Sequence, residues 1–324
     1  MALTLDDLFT SPDHYLHSFE GDAALFVPMD RAAYHRSIFL DGRISPAADQ
    51  AMHMPVDALA AGTPAPARTG WIFHVAHCGS TLLARALDDP AANLVLREPL
   101  ALRQQAFVGD GRRLAMTAAM LSKRYRADLP TIVKANVPVN FLLPELVALD
   151  PEAAAIFLYC SLGDYLLAIL RSENHRGWLR RVTAQLAAYL GDLSGLADAE
   201  LCAALWLAQM RAFGAALSAM PHGRALDSEA FFAAPRPVLN AAARHLGVPL
   251  DEAAIEATVA GPLFATYSKN PDLPFDNAAR LARRAETEAA LGGEMAQARA
   301  WIERTAPDEA AAAAAAVAGA RLAA

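Results

Sequence analysis

The chain has 324 residues, a formal net charge of −7 and 55% hydrophobic residues. That is ample for a large core, in one large α/β domain or two small ones. The mildly acidic balance argues against a general nucleic-acid binder. Met1 to Leu8 show no basic region followed by an apolar stretch, and no long uncharged apolar run follows. Neither a secretory signal nor a membrane span is therefore expected. Cys78, Cys160 and Cys202 lie far apart, without a Cys-x-x-Cys pair or metal-ligand spacing. A reduced, cytoplasmic setting without a metal is the expectation. The heavy use of Ala favours helices and hints at a bacterial source.

In chain order, Phe26–Asp30 and Ser37–Asp41 read as short extended pieces ending in turns. Ala60 to Thr69, with Gly62, Pro64 and Pro66, reads as a linker. Trp71 to Val75 is rich in large apolar residues and reads as a buried strand. Leu82, Leu83, Ala86 and Leu87 then follow helical spacing. Between strand and helix, Gly79 permits a sharp turn and close approach of a ligand. Ser80 and Thr81 place free N–H groups and hydroxyls at the helix start, where an anion is favoured. The segment reads as a phosphate cradle, or as an ordinary strand-to-helix turn with a Ser cap. It lacks the Lys that the nucleotide-kinase loop sends to the terminal phosphates.

Further strands are expected at Asn93–Arg97, Thr131–Lys134, Ala154–Tyr159 and Arg224–Asp227. Pro99 suits the first turn of a helix. Helices are expected at Leu114–Arg126, Pro138–Leu149, Asp164–Ser172, Ala199–Met220, Pro235–Leu246 and Asp276–Arg304. Lys123, Arg124 and Arg126 read as a solvated helix face, and Ala310 to Ala324 as a frayed helix or tail. Strands alternating with helices imply a parallel sheet covered on both faces. Ligands bind beyond the carboxyl ends of such strands, where His77, Glu98, Lys134 and Cys160 all fall. Lys134 reads equally as a site residue or a surface lysine, and Glu98 as a base or as a partner of Arg97 or Arg103. His74 reads as a satisfied core histidine, and His175 and His245 follow no usable pattern.

The loop His77-Cys78-Gly79-Ser80-Thr81-Leu82-Leu83 resembles that of the sulfotransferase family, Pro-Lys/Arg-Ser-Gly-Thr-Thr-(apolar)-Leu. Lys134-Ala-Asn-Val-Pro138 with Leu142-Leu-Pro144, the stretch Ile156 to Asp164, and Ala225 to Val248 resemble later family segments in the right order. The resemblance spans roughly Ile72 to Val248 and implies a three-layer α/β/α fold, P-loop NTPase-like, around a mostly parallel sheet. Residues 1–69 would be an N-terminal extension packed on the core, 70–309 the sulfotransferase-like domain and 310–324 an Ala-rich tail.

The resemblance further implies PAPS as sulfuryl donor and a small-molecule hydroxyl or amine acceptor. Neither nucleic acid nor membrane would be a partner. Gly79, Ser80 and Thr81 would cradle the 5′-phosphosulfate, with Cys78 a small buried member of the loop. His77 and Lys134 would stabilise charge, and Glu98 would be the base. The departures are specific. Cys160 and Ala168 stand where the family has the Arg and Ser of its 3′-phosphate site, and Asn136 where it has the catalytic His. Arg171, Arg176 and Ser161 are the available substitutes. His77, with an unperturbed pKa of roughly 6.5, would be partly charged at neutral pH. A kinase-like or other nucleotide-phosphate-binding protein, and a non-catalytic descendant of the fold, are the alternatives.

Overall fold

The computed structural model describes residues 4–323. Ten strands are formed among them. Three belong to an antiparallel sheet near the N-terminus, with β1 (His14–Glu20), β2 (Ala23–Pro28) and β3 (Met52–Pro55) in that order. Five form the central sheet: β4 (Thr69–His74), β5 (Leu94–Arg97), β6 (Thr131–Lys134), β7 (Ala155–Tyr159) and β8 (Gly223–Asp227). The last two, β9 (Thr266–Tyr267) and β10 (Asn270–Pro274), make a hairpin in which β9 is half-buried and β10 exposed.

The central sheet has the order β5-β6-β4-β7-β8, and every pairing is parallel. All residues of β4, β5 and β6 are buried, as expected of strands covered on both faces. Phe73 stacks on Phe157 of β7 at 5.3 Å between centroids, and Phe157 meets Phe213 of the helix Asp198–Ala219 edge-on. That helix is the one described element long and apolar enough to cross a bilayer. Here it lies against the sheet's helices, with Leu205, Met210 and Phe213 buried. From β4 the chain crosses to β5 and returns through β6, then passes to the other side of β4 for β7 and β8. The crevice beside the end of β4 is therefore a topological switch point.

The N-terminal sheet has its own small core, in which Leu16, Phe19 and Phe26 pack with Leu8, Leu59 and Met120. Two buried cations fasten this region to the main body. Arg97, at the end of β5, pairs with Asp88 at 2.5 Å and donates to the carbonyls of Tyr34 and Ser37, each at 2.6 Å. Lys123 donates to the carbonyls of Leu8, at 3.0 Å, and His14. The helix preceding it, Gly111–Leu121, ends before Lys123, so no solvated helix face exists there. Burial brings the Lys123 ammonium down to about 7.

Two segments finish the sheet's margins. Beside β5, the Leu40 amide donates to the Arg97 carbonyl and the Leu100 amide to the Leu40 carbonyl. Ser37–Asp41 is thus a tethered loop without strand assignment, while the extended reading at Phe26 is met by β2. Beside β8, a parallel bridge joins Ala225 to Arg321, with Ala225 N–H on Ala320 O and Leu322 N–H on Ala225 O, both 2.8 Å. The Ala-rich stretch is no frayed tail. Pro307–Gly319 is a helix that packs along Asp198–Ala219, burying Ala313 and Val317. Gly214 is where the two helices come closest, since an added Cβ would lie 3.3 Å from Ala316.

Candidate functional site

The segment after β4 turns through two left-handed residues, His77 (φ +62°) and Gly79 (φ +86°), into the helix Ser80–Ala86. A left-handed backbone is uncommon away from glycine, and its presence at His77 stores strain at this turn. Gly79 faces Phe232, whose Cζ would lie 2.9 Å from a Cβ added there. Ser80 and Thr81 are buried, and the Thr81 hydroxyl is a buried polar atom without a hydrogen-bond partner. An orphaned hydroxyl of this kind is unfavourable until something accepts or donates to it.

This turn forms the floor of a cleft of about 340 Å³. The walls come from four other places. Cys160 follows β7, and Asp164, Ala168, Arg171 and His175 come from the helical segment after it. Ser228, Glu229 and Phe232 follow β8. The hairpin and the start of the helix Asn277–Thr305 supply Tyr267, Lys269, Arg280, Arg283 and Arg284. Five fixed cations thus face two carboxylates, in a chain whose net charge is negative.

The cations divide into two kinds. Arg280 is bidentate with Glu229, both contacts 2.8 Å, and its guanidinium lies 4.6 Å from the centre of the Phe232 ring. Arg284 pairs with Asp164 at 3.0 Å. Arg171, Lys269 and Arg283 form no ion pair among the described residues. Arg283 touches only the Tyr267 hydroxyl, at 2.8 Å, and the carbonyl of Ala279 on its own helix.

The residues singled out in the sequence separate here. His77, Cys78, Gly79, Ser80, Thr81 and Arg171 line the cleft, whereas Glu98, Lys134 and Ser161 are not among its lining residues. Ser161 caps the next helix, accepting from the Asp164 amide at 3.1 Å and donating to its carboxylate at 2.6 Å. Arg176 does not reach back to the cleft. It is bidentate with Glu294, at 2.8 and 2.9 Å, and also bonds Asp198.

Lys134 is fully buried and not a surface lysine, and its ammonium donates to the Glu98 carboxylate. Glu98 is therefore the partner of neither Arg97 nor Arg103. It is the second non-glycine residue with a left-handed backbone, φ +56°. Burial opposes its charge, but Lys134, His74 and Lys269 outweigh that and bring the carboxyl down to about 2. Burial acts the other way on the Lys134 ammonium, and Glu98 offsets part of it.

His74 is only half satisfied, because its Nδ1 meets Val75 O at 2.8 Å while its buried Nε2 has no partner. Cys78 donates to Val75 O at 2.9 Å, and burial pushes its thiol up to about 11, so it is inert rather than activated. His77 is held well below its ordinary value, first by burial and then by Lys269, His175 and Arg171. It is neutral at neutral pH, not partly charged.

Lys269, Phe232, His175 and the arginines 280, 283 and 284 were not anticipated. The arginines carried a usable signal, since positions i, i+3 and i+4 of a helix share one face. The hairpin that carries Lys269 had none, as its second strand is exposed and its pairing is irregular.

Fold and cleft together define a class: a parallel α/β protein with a cationic cavity at its switch point. No family model matches the chain, and no curated protein does. Two solved structures are similar to it. One is a sulfotransferase domain from the curacin biosynthetic pathway, at 12% identity and a TM-score of 0.41, covering 60% of this chain and 79% of that one. The other is a sulfotransferase from Alicyclobacillus acidocaldarius, at 14% identity and a TM-score of 0.39, covering 75% of this chain and 99% of that one. At these values the cleft's own chemistry has to carry the functional reading.

Proposed function

We propose that the chain is a sulfotransferase-like enzyme. It moves a sulfuryl group from PAPS to a hydroxyl or amine of a small acceptor. The observation that carries this reading is the convergence of Arg171, Lys269 and Arg283, all without ion pairs, on a cavity floored by the Gly79–Thr81 turn and its orphaned hydroxyl. All three cations are solvent-exposed and uncommitted to a carboxylate, so each is free to make a charge-assisted contact to an anion in the cavity. A volume of about 340 Å³ lies in the range that small-molecule sites occupy.

The residues fit a donor with two separate anionic groups. Gly79, Ser80 and Thr81 offer backbone N–H groups and hydroxyls to the phosphosulfate. Arg283 and Lys269 replace the Arg and Ser that the family would have at Cys160 and Ala168. Phe232 and Tyr267 offer aromatic faces to a base. Neutralising charge on the bridging oxygen is the main demand of in-line transfer, and preorganised cations meet it without reorganisation.

The test is a calorimetric panel of PAP, PAPS, ATP and GTP, with and without Mg²⁺. Tighter binding of PAP than of ATP, unaffected by Mg²⁺, is expected. Mg²⁺-dependent preference for ATP would replace this reading with a kinase-like one. Binding of none would reject both.

A further inference from the structure

His175 stands at the mouth of the loop, in a setting that leaves one ring nitrogen free. Its Nδ1 lies 2.9 Å from the carbonyl oxygen of Ala168. A carbonyl can only accept, so Nδ1 carries the proton and Nε2 of the neutral ring is a free lone pair. Nε2 has no hydrogen-bond partner among the described residues, and the residue lines the cleft. Its ring centre is 4.3 Å from that of His77, at the left-handed turn that begins the cradle. Trp178, one turn along the same helix, meets the His77 ring edge-on at 6.0 Å. An imidazole oriented by a third group, with its other nitrogen open to the cavity, has the arrangement of a general base.

The rival carboxylate is committed elsewhere, since Glu98 is bound to the buried Lys134 and lies outside the cleft lining. We propose that His175 is the general base of the transfer, with Nε2 taking the proton from the acceptor hydroxyl. This rests on the sulfuryl-transfer reading above. In the step, the acceptor O–H bond breaks and its proton goes to Nε2. The acceptor oxygen forms a bond to sulfur, and the bond from sulfur to the bridging phosphate oxygen breaks. That oxygen leaves with the electron pair on the 5′-phosphate, and the imidazolium then returns its proton to solvent. With water as acceptor the products are sulfate and PAP.

The groups that bear on His175 are Arg171 just before its helix, Lys269 from the hairpin and His77 from the loop. Burial lowers the affinity of His175 for a proton, the Ala168 carbonyl offsets part of that, and the two cations lower it further. A bound anion between those cations offsets their effect, so the base becomes more proton-hungry when the donor is in place.

The experiment uses the full chain and its His175→Gln and His175→Ala variants. PAP affinity is measured first by calorimetry. If the wild type binds no PAP, the donor reading itself has failed, which is a separate result from failure of the base. Sulfate release from PAPS in water is then followed against pH. Both variants are expected to keep PAP affinity within about threefold and to lose sulfate release by about 10²- to 10⁴-fold. The wild-type rate should fall as pH drops through the His175 pKa, and this limb should vanish in His175→Ala. Added imidazole should restore part of the alanine variant's rate. Three outcomes overturn the assignment: an acid limb that persists in His175→Ala, a loss of rate matched by a loss of PAP affinity, or a wild type that binds PAP and releases no sulfate.

Discussion

Two groups of charge lie within this fold, one buried and one exposed at a cleft, and they are built on opposite plans. At the ends of β5 and β6, Lys134 meets Glu98, and Arg97 meets Asp88 and three carbonyls. Every charge there has a protein partner. In the cleft, Arg171, Lys269 and Arg283 have none of opposite sign. A buried charge without a partner is costly, so complete pairing marks charges that serve the fold. The unpaired cations at the cleft are solvent-exposed, so water solvates them and they stay available to an anion. The family resemblance implied a site role for Glu98 and Lys134, each with a structural alternative, and their geometry is that of the first group.

The comparison is broken most directly at Gly79. Gly79→Val forces a branched side chain into a left-handed backbone and against Phe232. PAP affinity is expected to fall beyond detection while circular dichroism still reports a folded protein. Unchanged affinity would remove the turn from the site.

At the paired end, Lys134→Met leaves the Glu98 carboxylate buried alone. A loss of about 3–5 kcal/mol in urea unfolding is expected, with the affinity of whatever remains folded for PAP little changed. The same pair gives a pH signature. The folded Glu98 carboxyl is depressed from 4.5 to about 2, so its contribution is present above the ordinary value and is lost as pH falls between the two. Glu98→Gln should flatten that interval of the stability profile. A profile identical to wild type would show that the pair does not hold the fold.

Within the cleft, Arg283→Ala and Arg171→Ala should each weaken PAP by roughly 10- to 100-fold, the worth of one charge-assisted contact. Arg176→Ala, which breaks contacts to Glu294, Asp198 and the Leu170 carbonyl, should leave PAP affinity unchanged. Equal losses in all three would erase the distinction between paired and unpaired cations. A further effect, read as a slope in stability against pH, is expected at Lys123. Its folded pKa is about 7 against an ordinary 10.5, so the unfolded chain binds the extra proton between those values. Stability should therefore rise with pH over that interval, and Lys123→Met should abolish the slope.

The parallel sheet was legible because each strand is a short apolar run at an interval that a helix fills, and the turn after β4 because Gly79 precedes a helical apolar spacing. What escaped has physical causes. Lys123 and Lys134 each carry a charge, and sequence spacing does not reveal that backbone carbonyls or a distant Glu98 will bury it. His175 sits in no motif; it reaches His77 only because the helices after β7 fold back over the loop. The helix Pro307–Gly319 read as a tail because alanine alone gives no amphipathic stripe, yet small side chains suit the close approach at Gly214.

The bridge between Ala225 and Arg321 bears on how copies of the chain behave in a crowd. An outermost strand offers its free N–H and C=O groups to any extended peptide that meets it, and that is a common start of aggregation. β8 satisfies those groups at Ala225 with its own chain, through Ala320 and Leu322. The other margin has its tethered loop at Leu40. A chain shortened to end before Ala320 would keep its cleft and expose a docking rail for its neighbours, and would be expected to precipitate at concentrations where the longer chain stays dissolved.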